Sequence, residues 1–432
     1  MTQRARASAI VGAVALAVLA RGPSDAGAQP ASAPPPAGAP ATEARLTLEA
    51  LIIVGRAAPE APWSDRPTEA TSGQRPELAV IARGRIGKRS VIVADPELVP
   101  LSLAGRAVPT NRRVTWDLVG DVAVQWRAVE ARGFRTTPAA NGATSRYYSN
   151  VATEPDTFGK WLGYDTIEYF ETTRAQAAAT PQARRHTPEI SSVDEPLEPK
   201  DKQALGTAGL GTLRFRALAT LPDGRTLATA GADATDTAGA LPSVHRVSVR
   251  AADDFLGHLA GYLLVPEVFG SAGAGRQHQT ERFTGADCAD VMVGALRRSG
   301  RTDVPYTSVA GLPRYAKIVE EQVALDEHGQ PARALGQAKV GDLIRIDYGG
   351  SLTGHTPRSW DHVAAFWRDR SDPAGPWRGA PDGQLDGFDL VIHMGHPRLV
   401  VEPLAAQSPA TIDVLRWHAP VTAARRAPRP AR

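Results

Sequence analysis

The chain has one cysteine, three methionines and only 6% aromatic residues among its 432 positions. A single cysteine excludes an internal disulfide framework and every metal centre that needs two or more thiolates. Beyond the N-terminus no apolar run reaches the length of a membrane span, so no transmembrane segment is expected. Repeats of solenoid period are also absent. The formal net charge is only +3 and no basic face is interleaved with aromatics, which argues against nucleic acid as a partner.

What is present is turn-forming residues in quantity. Forty glycines and 35 prolines suit strands joined by many turns, and 42% hydrophobic residues are enough to bury sizeable cores. The length predicts two or three domains. Arg4 and Arg6 precede an apolar run over residues 7–20, and Ala26-Gly27-Ala28 is a small-x-small cleavage site. This pattern predicts a signal peptide over 1–28 and a secreted or periplasmic protein, with no cysteine near the cut to carry a lipid. Its removal takes Arg4, Arg6, Arg21 and Asp25 and leaves a charge of about +1. Residues 29–43 are rich in proline and alanine and read as a stiff spacer. Arg425, Arg426, Arg429 and Arg432 lie in a tail over 419–432 that reads as solvated and disordered.

Residues 44–173 alternate apolar and polar side chains in short runs, as in LTLEALIIV and DVAVQWRAV, and predict a β-rich domain. A polar, proline-containing stretch over 174–207 reads as a linker or long loop. A second β-rich section follows over 208–270, where LPDGRT predicts a hairpin. The two sections are expected to form a pair of β-sandwiches or one interrupted sandwich, acting as a scaffold or binding module.

Chemistry concentrates in 276–418. Thr284 and Asp287 form a capping-box pattern ahead of a helix on which Cys288, Val291 or Met292, and Ala295 or Leu296 share one face. Arg297 and Arg298 complement its C-terminal dipole, and Gly300 ends it. The cysteine thus sits where unpaired amides favour a thiolate, while Asp287 and Asp290 oppose one. Downstream, GDLIRID, DHVAAFW and FDLVIHM predict three strands, with His362 at the start of the second and His393 near the end of the third. A cysteine on a helix start facing histidines on strands is what thiol catalysis requires. One imidazole moves the proton, and a third polar group fixes its tautomer.

The order of a helix-borne Asp-Cys, a Gly-Asp-Leu strand, a His-Val strand and a strand ending in histidine resembles the NlpC/P60 cysteine peptidases, over about 279–417. The resemblance implies an α+β fold, with a papain-like domain behind the largely β region, and cleavage of peptidoglycan peptides. It also implies Cys288 as nucleophile, His362 as base and His393 as the orienting residue, with no metal or organic cofactor. His396 and Asp389 are the alternatives for the orienting role. Asp361 should point to the opposite sheet face from its neighbour His362. Two positions depart from the family pattern: Cys288-Ala289-Asp290 replaces Cys-Ser-Gly, and Ala364 stands in place of a glycine. Asp290, Tyr306 and His396 are the candidate substrate contacts, and His355 is a further residue that could line the cleft. Trp360, Trp367 and Trp377 are equally readable as packing or as substrate platforms. The partner expected is a cell-wall peptide or other envelope substrate. Two other readings are a papain-like amidase or transglutaminase-type acyltransferase with a Cys-His-Asp order, and an inactive envelope binding protein. His393 and His396 have a metal-like spacing, but on a strand and turn they do not converge as they would on a helix.

Overall fold

The computed structural model describes residues 45–133, 147–152, 160–194, 197–273, 278–349, 360–370 and 379–419. The predicted signal peptide, the spacer, His355, Trp377 and the arginines of the tail lie outside the described residues.

Eight longer strands occupy the first part of the chain: β1 (Leu46–Arg56), β2 (Thr68–Thr71), β3 (Glu77–Ile86), β4 (Arg89–Val93), β5 (Ala123–Ala131), β6 (Tyr169–Ala178), β7 (Gly211–Thr220) and β8 (His245–Arg250). They form two sheets. β1, β3 and β4 pair antiparallel and are extended at the edges by strands of two or three residues. The second sheet runs β6-β5-β7-β8-β2, with the last pair parallel. Strands from 44–173 and from 208–270 therefore share one sheet. The intervening segment is more than a linker: β6 runs on to Ala178, Arg185–His186 pairs with β3, and a short helix, α1 (Pro199–Leu205), follows.

The inner faces of the two sheets meet through Leu51, Ile53, Leu78 and Val80 on one side and Val124, Trp126, Leu213 and Phe215 on the other. Two short helices, α2 (Phe255–Ala260) and α3 (Gln279–Arg282), lead to α4 (Cys288–Arg298), which has eleven residues. The C-terminal sheet is antiparallel throughout. Its strands are β9 (Ala316–Leu325), β10 (Leu343–Asp347), β11 (His362–Arg368), β12 (Leu390–Met394), β13 (Leu399–Pro403) and β14 (Ala410–Trp417), in the order β9-β14-β10-β11-β12-β13. β10 and β12 are buried at every position, so the polar side chains they carry, Arg345, Asp347 and His393, are buried with them.

The expected α+β class with a papain-like C-terminal domain is not found. The protein is mostly β, with 40% strand and 14% helix and several sheets, one of them a half-barrel. The physical reason lies in the periodicity. Helical spacing of apolar residues is sustained only through α4, whereas the segments before and after it alternate with the two-residue period of strands. Among the described residues no helix is long and apolar enough to cross a membrane.

One apolar core runs from the β1–β3 face through Phe215 and Val247 to Val291, Met292 and Ala295 of α4, and on to Val363, Leu390 and Ile392 of the C-terminal sheet. A core shared in this way should melt as a unit. Truncation of the fully buried Phe215 to alanine is expected to cost about 3–5 kcal/mol. Tryptophan fluorescence and alkylation of the lone Cys288 should then report the same denaturant midpoint. Two separated midpoints would show that the β region and the Cys288 segment unfold independently.

Candidate functional site

The site begins with the helix cap. The Asp287 carboxylate accepts the amide of Asp290 at 2.7 Å, so Asp287, not Thr284, is the N-cap and Cys288 is the first helical residue. Thr284 instead donates its hydroxyl to the carbonyl of Ala238, tying the approach to α4 to the small hairpin over 235–240. The same Asp287 carboxylate accepts the amide of Gly270 at 3.0 Å. Asp290 is buried, and its carboxylate accepts the Ser271 hydroxyl at 2.8 Å and the Ala272 amide at 2.6 Å. It anchors the 270–272 turn beneath the helix rather than forming a solvated cap.

α4 rests on β11 and β12, and Cys288 is half-buried against the shared core. Burial pushes the thiol well above its ordinary value, and the charges of Asp287, Asp290 and Glu267 push in the same direction. The Ala289 amide opposes them, as expected at a helix N-terminus, and is outweighed. The resting side chain is a thiol.

His362 opens β11. The chain enters it through Trp360, a non-glycine residue at φ +52°, whose ring lies 3.8 Å under the Arg345 guanidinium. Arg345 is in turn paired with the buried Asp413 at 2.5 Å. A left-handed backbone at a tryptophan costs energy of about 1–3 kcal/mol and needs such support from its surroundings. Asp361 accepts the Tyr348 amide at 3.0 Å and donates its own amide to Ile346, so it holds the loop and leaves His362 to others.

The partner of His362 is His393. His362 Nε2 and His393 Nδ1 are 2.9 Å apart, with the two rings nearly perpendicular at 88°. The pairing follows from register, because His393 lies directly opposite Ala364 in the ladder, two residues from His362 on the same face. Ala364 is fully buried there, and its small side chain leaves room for the imidazole. On its far side His393 Nε2 is 3.0 Å from Glu402 Oε1, which also accepts the Gln407 amide at 2.7 Å. Gln407 in turn accepts the Tyr348 hydroxyl, and the Tyr348 ring stacks 6.4 Å from that of His362. Burial, reinforced by His393, lowers His362 to about 3, so its imidazole is neutral at ordinary pH.

Ladder alternation puts both imidazoles on the face of Ala364, Phe366 and Val391, whereas α4 packs on the alternate residues Val363, Ala365 and Ile392. Cys288 and His362 are each the first residue of their element. No hydrogen bond joins them among the described residues. Tyr348 links their surroundings: burial first, then the charge of Cys288 and that of Glu402, raises its hydroxyl.

The remaining sequence candidates fall elsewhere. His396 is 3.0 Å from Glu267, the carboxylate that also acts on Cys288, and so stands at the rim of the site. Tyr306 donates to Glu281 at 2.9 Å and stacks near His278 and Arg297, along the flank of α4. Asp389 accepts the amides of Arg370 and Asp386 at 2.6 and 2.8 Å just before β12 begins, at the end of that strand away from His393. It is held near a pKa of about 7 chiefly by burial. Trp367 donates to the Leu205 carbonyl and serves packing between the sheet and α1. Sequence reasoning missed Glu402, Gln407, Tyr348 and Glu267. Among the described residues no three histidine, cysteine or acidic side chains are grouped to hold a metal ion.

The thiol's environment gives a direct test on the purified chain. Because burial and three carboxylates oppose the anion, alkylation by iodoacetamide should be slow at pH 7 and still rising above the ordinary thiol value of 9.0. Glu267→Gln removes one opposing charge and should move the profile to lower pH. A wild-type midpoint below pH 8 would mean that an ion pair with His362 overcomes burial.

No family model, curated protein or solved structure matches this chain.

Proposed function

We propose that this chain is a secreted or periplasmic hydrolase that cleaves an amide bond with Cys288 as nucleophile and His362 as base. The observation that carries the reading is the bonded series His362–His393–Glu402 on strands that also support the helix bearing the only cysteine. The N-terminal apolar run with its cleavage-site pattern supports export. The order of Cys288, His362 and His393 resembles that of NlpC/P60 peptidases, and a cell-wall peptide is the substrate class favoured on that resemblance.

The starting state is a neutral thiol and a neutral imidazole, each the first residue of its element, and attack requires the Cys288 side chain to reach His362 past the start of β11. As the Cys288 sulfur bonds to the substrate carbonyl carbon, its proton passes to His362. The same proton then goes to the leaving amine nitrogen as the carbon–nitrogen bond breaks, leaving a thioester. Water, deprotonated by His362, attacks the thioester and restores the thiol. As the first helical residue, Cys288 has a backbone amide with no intrahelical acceptor, which makes it the donor for the developing oxyanion. His393 orients His362 and accepts the hydrogen of its Nε2, keeping Nδ1 as the basic nitrogen. Asp389 is committed to two backbone amides, which weighs against a Cys-His-Asp acyltransferase.

The test is to incubate the chain with purified peptidoglycan and with soluble wall peptides and to identify products by mass spectrometry. Cys288→Ala should abolish product, and His362→Ala should lower kcat by about 10²–10⁴-fold. Product formation unchanged by Cys288→Ala would remove the thiol mechanism. The absence of product from wild-type protein on any amide substrate would leave an envelope binding protein.

A further inference from the structure

The pair of histidines raises a question that two residues cannot answer alone. An imidazole bonded to another imidazole can carry its proton on either side, and only one arrangement leaves His362 with a free basic nitrogen. If His393 Nδ1 held the hydrogen, it would donate to His362 Nε2. The His362 proton would then sit on Nδ1, and that ring could not accept a proton there.

The choice is made one step further out, on β13. Glu402 Oε1 is 3.0 Å from His393 Nε2. A bare nitrogen lone pair at that distance from a carboxylate oxygen would be repulsive, so Nε2 carries the hydrogen and donates it. His393 Nδ1 is then a lone pair and accepts from His362 Nε2 at 2.9 Å. His362 Nδ1 is left basic. The carboxylate is kept in place by the Gln407 amide at 2.7 Å, and Gln407 is oriented by the Tyr348 hydroxyl on its carbonyl oxygen. The Gln407 nitrogen also lies 3.2 Å from His393 Nε2, but its shorter contact is to Glu402. Burial works against ionisation of Glu402, yet the hydrogen bonds from His393 and Gln407 hold it below the usual carboxyl range. The other titratable groups facing this series are Tyr348 and Asp361 on the loop before β11, and Cys288 acts on Tyr348.

We propose that Glu402 is a positioning residue that sets the tautomers of His393 and His362 and supports the positive charge formed on His362 when it takes the thiol proton. The proposal rests on the hydrolase reading only for its effect on rate, since the tautomers can be observed without a substrate.

Long-range ¹H–¹⁵N spectra of histidine-labelled protein would read the tautomers directly. In the wild type both His362 and His393 should carry their hydrogen on Nε2. Glu402→Ala should release this preference and give mixed tautomers at both rings. Glu402→Gln is the isosteric variant. Its side-chain oxygen can still accept, so the tautomers should be retained, while the lost charge should lower kcat about tenfold with KM unchanged. Glu402→Ala should lower kcat by about 10²-fold, and Glu402→Asp should recover part of the loss. Unchanged tautomers in Glu402→Ala, or a wild-type spectrum with the His393 hydrogen on Nδ1, would overturn the proposal. Should Glu402→Ala fail to fold, full activity of Glu402→Gln would overturn it equally. Failure of the hydrolase reading would look different: product insensitive to Cys288→Ala, whatever the tautomers.

Discussion

The hydrogen bond between His362 and His393 depends on strand register more than on either side chain. His393 lies across from Ala364, and a slip of one residue between β11 and β12 would turn one imidazole to the opposite face of the sheet. That register is fixed by burial. Val391 and Phe366 must stay on the same face as the imidazoles, and Ile392 and Ala365 must stay on the face that α4 covers. The packing that excludes water from the sheet therefore also aims the histidines. Because the core continues through α4 to Phe215 and Val80, the β region helps to hold the register, and its end also brings Glu267 to the rim of the site.

Electrostatics around Cys288 run against simple activation. A helix N-terminus favours an anion by about 0.3–1 kcal/mol in exposed cases. Here the thiol is half-buried and three carboxylates surround it, so the unfavourable terms win. Asp290 is itself pushed well up, first by burial and then by Asp287. Asp287 is raised as well, again chiefly by burial, so two acids this close do not both ionise cheaply. The carboxyl groups that cap and anchor the helix thus disfavour the thiolate next to them. A nucleophile of this kind must be deprotonated as it attacks, and because burial makes His362 a weak base the burden falls on its orientation.

The sequence made a useful part of this legible. The helix over 288–298 and the strands bearing His362 and His393 follow from short patterns, one run of helical period and two of alternation, whereas the pairing of the two rings is an expectation carried by the resemblance. The fold class did not follow, because resemblance of a few motifs carried an α+β expectation onto a chain whose remaining segments alternate as strands. The capping residue was displaced by three positions because Thr284 and Asp287 satisfy the same pattern, and only the fold shows that Thr284 has a closer acceptor in Ala238. Asp290 read as a candidate substrate contact because nothing local reveals that Ser271 and Ala272 fold over it.

Glu402 and Gln407 show where sequence reading runs out and what signal existed. β13 reads Leu-Val-Val-Glu-Pro, with Leu399 and Val401 inward on the face of α4. Val400 and Glu402 must then share the other face, the one that carries His393, and β13 pairs with β12 in a ladder that sets His393 opposite Val400. A glutamate two residues along on that face is within reach of a histidine diagonal to it. The inference needs the β12–β13 register, which follows once a hairpin between them is assumed. Gln407 has no such route, because it comes from a turn with no period and reaches His393 only through the path of the chain after Pro403. Strand patterns can thus expose the groups that form a relay, while the residue that orients its last member depends on loop geometry.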